Sequence, residues 1–394
     1  MSKFRNVVVV SAKRTPVGAF QGVLSSISAH QLGATVIKAV LEETKVNPAS
    51  IDEVIMGNVL SAGQGQAPAR QATLEAGLPS SVECLTINKM CGSGLKAVML
   101  ATQAIQVGDA EIVIAGGMEN MTQAPYLLPK GRGGHRLGHG EVIDSLIKDG
   151  LWDPYNDKHM GNCAELCATD KNYSREDQDA FAKTSYSRAQ IAQSNGSFSD
   201  EIVSVSVPQR KGDPTVVDKD EEPGRVNFDK MVKLRPAFEK EGTITAANAS
   251  KINDGAAAMM LMSVETAQEL GLTPLATIVA QASVAHEPEW FTTAPMKAIS
   301  KVLEKAGLTA QEIDLWEINE AFAPVAMAPI DEFNLNHEKV NVNGGAIALG
   351  HPIGGSGARI LTTLIHAMKS RKVHAGLAAL CIGGGEASAL VITR

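Results

Sequence analysis

Two thiols and one imidazole stand at positions where this chain could do chemistry. Cys91 heads CGSG (91–94), His351 closes the glycine-rich stretch NGGAIALGH (343–351), and Cys381 opens CIGGGE (381–386). A cysteine attacks as its thiolate, so a nucleophilic cysteine needs a lowered pKa or an adjacent base. CGSG reads as a turn between a strand and a helix, where the unpaired N–H groups of the first helical turn and the helix dipole favour an anion. Cys91 is therefore expected to be a nucleophile of depressed pKa. His351 is the candidate base, in a loop whose glycines let backbones approach closely. Cys381, at another strand end, could bring a second thiol to the same pocket. Taken singly, each of the five cysteines (84, 91, 163, 167 and 381) also reads as a small buried hydrophobe.

The elements that must position these groups occur twice. GGSG (354–357) repeats CGSG 263 residues later, with Gly354 where the first copy has its cysteine. AVLEETKVNPASIDEV (39–54) matches KVLEKAGLTAQEIDLW (301–316) at a shift of 262, with Val, Leu, Glu, Ile and Asp coinciding at 40/302, 41/303, 42/304, 51/313 and 52/314. AGGME (115–119) faces IGGGE (382–386) at 267. Three matches in one order imply two halves of one architecture, roughly 1–120 and 274–394. Each half reads as an apolar strand (VVVVSA, 7–12; LATIVAQAS, 275–283), a helix, a short strand (DEVIMGNV; IDLWEIN) and the glycine turn. An amphipathic helix (94–108; 357–370) and a buried strand (EIVIAGG; GLAALCIGGG) follow. That alternation predicts parallel or mixed sheets covered by helices, an α/β architecture. If the halves pack about a pseudo-twofold axis, the helices after the two turns converge at their N-termini and His351 faces Cys91. The second turn, lacking a thiol, then gives room.

Residues 121–250 have another character. Glycine clusters (GRGGHRLGHG) and polar runs such as KGDPTVVDKDEEPGR imply an inserted, loop-rich domain. Its tail, PGRVNFDKMVKLRPAFEK (223–240), sets Arg225, Lys230, Lys233, Arg235 and Lys240 against Asp229 and Glu239. This positive excess either attracts a phosphate-bearing ligand or is a solvated surface. For the chain as a whole, 394 residues imply two or three domains. A net charge of −7 and 4% aromatic residues argue against a nucleic-acid partner and for a small-molecule substrate. The N-terminal apolar run is four valines and no run approaches a membrane span, so a cytoplasmic protein without a membrane partner is expected. Five cysteines without a secretory signal argue against a disulfide framework. Cys163 with Cys167, and His135 with His139, have i,i+4 spacing. Glycines surround the histidines, however, and neither Cys-x-x-Cys nor His-Glu-x-x-His occurs, so no metal site is expected. The sequence also lacks a phosphate loop and a dinucleotide fingerprint, which argues against nucleotide hydrolysis and dinucleotide redox chemistry.

On NKMCGSGLKAV, GGMENM, HMG, RPAFEKEGTITAANAS, NDGAAA, NEAFA, NGGAIALGHPIGGSGAR and CIGGGE, which run in order along the whole chain, the sequence resembles the thiolase family, and within it the acetyl-CoA C-acetyltransferases. The resemblance implies a thiolase-like five-layered αβαβα fold of two pseudo-symmetric halves. The N-terminal half would span 1–120, completed by about 251–273, the inserted loop domain 121–250, and the C-terminal half 274–394. It implies a homotetramer, assembled partly through a loop near 121–142, that uses coenzyme A thioesters as substrates and needs no metal or redox cofactor. The implied reaction is the Claisen condensation of two acetyl-CoA to acetoacetyl-CoA and CoA, with thiolysis as its reverse. Cys91, activated by His351, would hold the acetyl group as a thioester, and Cys381 would take an α-proton from a second acetyl-CoA. One oxyanion hole would use His351 with a water held by Asn319 of NEAFA; the other would use the backbone N–H groups of Cys91 and Gly383. The positions matching the family's CoA contacts are Leu151, His159, Met160, Phe238, Ala246, Ser250, Ala321 and Phe322. The family's arginine at the adenine end has no counterpart in register; Arg225 is near it.

Some residues depart from the family pattern. Ala387 stands where the last glycine of Gly-Gly-Gly-x-Gly is usual, and is expected to tighten the backbone near Cys381. Cys163 and Leu166 replace Thr and Asn, and Lys251 replaces a small residue after ANAS, where it could alter contacts near CoA. Two other readings are a degradative 3-ketoacyl-CoA thiolase preferring longer chains and a non-catalytic acyl-CoA- or lipid-binding protein of the same fold. Intact Cys91, His351, Asn319 and Cys381 disfavour the latter.

Overall fold

The computed structural model describes residues 4–394, and its framework is one ten-stranded mixed sheet. In chain order the strands are β1 (Val7–Arg14), β2 (Gly18–Ala19), β3 (Glu53–Gly57), β4 (Glu83–Ile87), β5 (Ile112–Asn120), β6 (Asn253–Ser263), β7 (Ala276–Ala285), β8 (Leu315–Ile318), β9 (Ala375–Ile382) and β10 (Glu386–Thr393). In space they run β8-β9-β10-β7-β1-β6-β5-β3-β4, with β2 beside the start of β6. β1 and β7 meet antiparallel at the middle, Val8 opposite Thr277 and Val9 opposite Ala276. Outward from this seam one side runs β1, β6, β5, β3, β4. The other runs β7, β10, β9, β8, then a parallel bridge from Trp316 to Val340 in the place of β4. The orders agree, with antiparallel pairs near the seam and parallel pairs beyond.

Asp52 and Asp314, paired by the sequence repeat, do the same job. Each carboxylate accepts two backbone N–H groups at the start of the neighbouring strand, those of Glu111 and Ile112 in one half and of His374 and Ala375 in the other. Glu53 lies opposite Val113, and Leu315 opposite Gly376, so the shift through β5 and β9 stays at 376 − 113 = 263. The match of AGGME with IGGGE at 267 is therefore four residues out. Gly116 and Gly117 lie inside β5, whereas Gly383, Gly384 and Gly385 make the hairpin turn after β9. The two glycine runs share composition, not a place in the repeat.

Apart from two short ones at Phe228–Met231 and Val264–Glu269, the α-helices are α1 (Ala29–Thr44), α2 (Pro68–Glu75), α3 (Ser93–Val107), α4 (Met160–Asp170), α5 (Arg175–Ser194), α6 (Ala294–Ala306), α7 (Ala323–Glu332), α8 (Ala346–Leu349) and α9 (Ile353–Arg371). α1 and α2 cover one outer face, where Leu32, Val36, Ile37 and Val40 pack at helical spacing against Val54, Met56 and Ile114. α5 to α8 cover the other, around Ile299, Val302 and Trp316. Between the half-sheets lie α3 and α9, whose Leu95, Val98, Ile360 and Leu364 pack on Ile55, Ala115, Ala378 and Leu380. Side chains alternate across a strand, so Ile55 serves the central core while Val54 and Met56 serve the outer one. Helices, sheet, helices, sheet, helices is the five-layered arrangement that the sequence motifs imply. α9 is buried without a break from Ile353 to Met368, as a helix between two sheets must be.

The insert is less loop-like than its composition suggests, because it supplies α4 and the 20-residue α5, and α5 packs into the outer core of the second half. β6, which follows the insert, lies between β1 and β5. Among the described residues no helix is long and apolar enough to cross a membrane.

Candidate active site

Cys91 lies in the turn between β4 and α3, directly after Met90, whose φ of 47° is in the left-handed region. Such strain in a residue other than glycine persists only where the surroundings fix it. Ser93 does so here: its Oγ accepts from the Lys89 N–H at 2.8 Å and donates to the Met90 carbonyl at 2.6 Å. The backbone N–H groups of Gly383 and of Cys91 itself point at the Cys91 sulfur. Burial nevertheless pushes the thiol up to about 11, against these two donors and with the charge of Glu119 adding to the rise. The expected depression is thus overturned. Cys91 sits two residues ahead of the helix and half-buried, and desolvation outweighs the N–H groups that face it.

The second turn also differs from expectation, since no strand leads directly into it. β8 ends at Ile318, a loop and α8 intervene, and GGSG itself forms the first turn of α9. His351 is two residues ahead of α9, as Cys91 is two ahead of α3. Ser356 repeats the role of Ser93. Its Oγ donates to the Pro352 carbonyl at 2.9 Å, leaving a lone pair to accept from Nδ1 of His351 at 2.6 Å. This bonding puts the ring proton on Nδ1 and makes Nε2, which has no protein partner, the basic nitrogen. The His351 backbone N–H donates to Asn253 Oδ1 at 2.9 Å. Asn319 lies against the ring, Nδ2 at 3.5 Å from Nδ1, with Oδ1 unpartnered. Burial, helped by the Arg359 cation, brings the imidazolium down to about 3, so His351 is neutral at physiological pH. The site therefore holds a neutral thiol and a neutral imidazole.

Cys381 lies inside β9, opposite Ala387 of β10, rather than in the loop beyond. It has no solvent exposure and packs with Met160, Cys163 and Phe322. Burial, and then the neighbouring Cys91 sulfur, raise its thiol well above the usual range. Ala387 is an extended, buried strand residue, and the left-handed positions of the hairpin are Gly384 and Gly385. The tightening expected from Ala387 is absent because this position has no need of glycine.

The two helix starts touch. A Cβ on Gly94 would lie 2.8 Å from the backbone N of Ala358, and one on Gly357 would lie 2.4 Å from that of Leu95. These equivalent glycines let α3 and α9 cross at backbone contact. Glu119, buried at the end of β5, braces the crossing. Its carboxylate accepts from the N–H groups of Val59, Leu60 and Gly354 and from Asn58 Nδ2, at 3.0, 3.1, 2.8 and 2.7 Å.

Cys91, His351 and Gly383 line one cavity of about 450 Å³. All eight positions matched to CoA contacts line it too: Leu151, His159, Met160, Phe238, Ala246, Ser250, Ala321 and Phe322. His159 stacks on Phe238 at 4.8 Å, and Phe238 and Phe291 meet Phe322 edge-on at 5.9 and 6.4 Å. The Ser250 N–H donates to the Ala321 carbonyl at 3.0 Å, tying two segments of the wall together. This mainly apolar lining, with few polar groups, suits a long thin substrate arm. Arg225 also lines the cavity, paired with Glu221 at 3.2 Å, whereas Lys233, Arg235 and Lys240 do not. Asn319 and Cys381 stand behind the wall. Phe20, Met121, Phe291 and Ile353 line the cavity although no motif marks them as lining residues. Ser356 could have been found from the repeated Gly-Ser-Gly. Cys163 and Cys167 are buried in α4, His135 and His139 are exposed, and no cluster of metal-ligating side chains occurs among the described residues.

Residues 7–265 match the thiolase N-terminal domain and residues 272–394 the thiolase C-terminal domain. An acetyl-CoA acetyltransferase of Cupriavidus necator is 55% identical over 390 residues, 99% of each chain. One from Schizosaccharomyces pombe is 50% identical over 389 residues, 98% of each. Among solved structures, the Bacillus anthracis acetyl-CoA acetyltransferase superposes with a TM-score of 0.97 at 41% identity, covering 100% of both chains. A thiolase from Ascaris suum in complex with coenzyme A gives 0.94 at 46% identity, covering 99% of this chain and 100% of that one.

Proposed function

The chain belongs to the thiolase family, and from this premise we propose that it is an acetyl-CoA C-acetyltransferase, condensing two acetyl-CoA to acetoacetyl-CoA and CoA and catalysing the reverse thiolysis. One observation carries the reading. A single cavity brings together a thiol faced by two N–H donors and an imidazole whose free nitrogen is set by Ser356, with a second thiol beside the first, behind the cavity wall.

In the first half-reaction Cys91 Sγ attacks the acetyl-CoA carbonyl carbon, and Nε2 of His351 takes the thiol proton as the S–C bond forms. The N–H groups of Cys91 and Gly383 suit the oxygen that gains charge, and the proton passes to the departing sulfur to give CoA. Acetylation removes the ionisable sulfur beside Cys381, which was the second cause of that thiol's raised pKa, so Cys381 carries a thiolate more readily. It takes an α-proton from the second acetyl-CoA, whose enolate oxygen would be met by His351 with a water held by Asn319. The enolate carbon attacks the acetyl carbon, the Cys91 S–C bond breaks to release acetoacetyl-CoA, and the proton on Cys381 returns to the Cys91 sulfur. We place Cys91, Cys381, His351, Asn319 and Gly383 in these roles, with no metal or redox group required. The protein is further proposed to be a cytoplasmic homotetramer, joined partly through the loop at 121–142. Leu128, Leu137 and Val142 there are exposed apolar side chains of the kind an assembly would cover.

Rates of CoA-dependent cleavage test the assignment: acetoacetyl-CoA should be the better substrate than a long-chain 3-ketoacyl-CoA, and the opposite order would overturn it. Incubation with acetyl-CoA alone should place an acetyl group on Cys91 of the wild type and none at residue 91 of Cys91→Ser. Cys381→Ala should still be acetylated at Cys91 yet fail to condense.

A further inference from the structure

Lys251 lies in the cavity wall between Ser250 and Ile252, which line the same cavity, and the proposed reaction leaves it unused. Its Nζ donates to the Tyr186 hydroxyl at 2.6 Å and to the carbonyls of Ala249 and Ile347, both at 3.3 Å, and lies 5.3 Å from the centre of the Tyr186 ring. All three acceptors are neutral. The charged groups facing it are Glu222 and Glu320; Glu320 is held instead by Ser185, Asn341 and the Ile347 N–H, and neither carboxylate forms an ion pair with Lys251. Burial outweighs both and brings the ammonium down to about 8. At pH 8 the reactive neutral amine is then on the order of a hundred times more abundant than on a solvated lysine.

We propose that Lys251 is a modification site that takes an acetyl group directly from acetyl-CoA held in this cavity, and that its acetylation shuts the enzyme down. The inference rests on the proposed acetyl-CoA site. Nζ attacks the thioester carbonyl carbon, the C–S bond breaks, an amide forms, and a proton from Nζ goes to the departing sulfur to give CoA. Unlike the thioester at Cys91, an amide is not reopened by CoA, so the change persists. It removes the cation, leaves one N–H to serve three acceptors, and adds bulk beside Ile347, four residues before His351.

Wild-type protein is incubated with acetyl-CoA at pH 7 and pH 8.5 and digested in acid, and both Cys91 and Lys251 peptides are read by mass spectrometry. Lys251 should gain acetyl at least about tenfold faster than the exposed Lys38, faster at the higher pH. Excess CoA should suppress the reaction at Lys251 and leave Lys38 unaffected. Condensing activity should fall in step with Lys251 occupancy, while Lys251→Arg keeps its own starting activity through the same incubation. Acetylation of Cys91 with Lys251 no faster than Lys38, or without protection by CoA, overturns the inference alone. If Cys91 also stays unmodified, the functional reading falls with it.

Discussion

Alkylation of Cys91 reads the balance of forces on this thiol directly. With the thiol at about 11, its reaction with iodoacetamide should keep accelerating from pH 8 to pH 10, where an unperturbed cysteine levels off. A plateau below pH 9 would mean that the facing N–H groups outweigh burial after all. Ser356 acts on the partner of Cys91. Ser356→Ala should lower kcat/KM by about 10- to 100-fold, as removing a hydrogen bond that orients a reactive group commonly does. Ser356→Thr, which keeps the hydroxyl, should restore most of it, and equal losses in both variants would deny the tautomer role. Cys91, His351 and Cys381 were legible in the sequence because Gly-Ser-Gly and Gly-Gly-Gly mark tight backbone at reactive positions. The direction of the Cys91 shift was not legible: the turn shows a donor, but the burial that outweighs it, and the charge of Glu119 that adds to the rise, arise only when the chain folds.

At the scale of elements, the crossing of α3 and α9 is what joins thiol to imidazole. Gly94→Val inserts atoms where backbone already stands 2.8 Å away, so the helices must part. A loss of about 1–3 kcal/mol is expected from such overpacking, seen as a lower melting temperature, together with a larger proportional loss of acetyl transfer. Gly224→Ala, where a Cβ meets nothing within 4 Å, should change neither. A Gly94→Val variant that melts normally and keeps its rate would remove the crossing from the account. The strands and central helices could be read from periodicity, and Asp52 with Asp314 fixed the repeat because each is needed at a strand start. α5 was hidden by its surface: Phe181, Ala182, Tyr186 and Ala189 form its buried stripe, but charged and polar residues fill the rest.

For the whole molecule, stability depends on how its buried carboxyls titrate. Burial raises Asp254 from its usual 3.8 to about 6, although Thr122 donates to it through N–H and hydroxyl. A folded-state pKa above the unfolded value stabilises fully below the unfolded pKa and is lost as pH rises through the folded one. Asp254→Asn lacks this titration, so its stability relative to wild type should improve by about 1–3 kcal/mol between pH 4 and pH 7 in urea denaturation. A flat difference would show that folding leaves this pKa unshifted, and a worsening one that the carboxylate is the preferred folded form; either overturns the prediction. The two-half plan was legible from end to end, whereas the way the halves fuse at β1 and β7 was not, because the seam is a pairing between strands far apart in the chain. That seam has a kinetic corollary. The sheet is continuous across the seam, and on the proposed reaction both acetyl-CoA molecules use the one cavity that Cys91 and His351 line. The spent carrier would then depart by the doorway through which its replacement arrives, so added CoA should slow throughput in the condensing direction by occupying it.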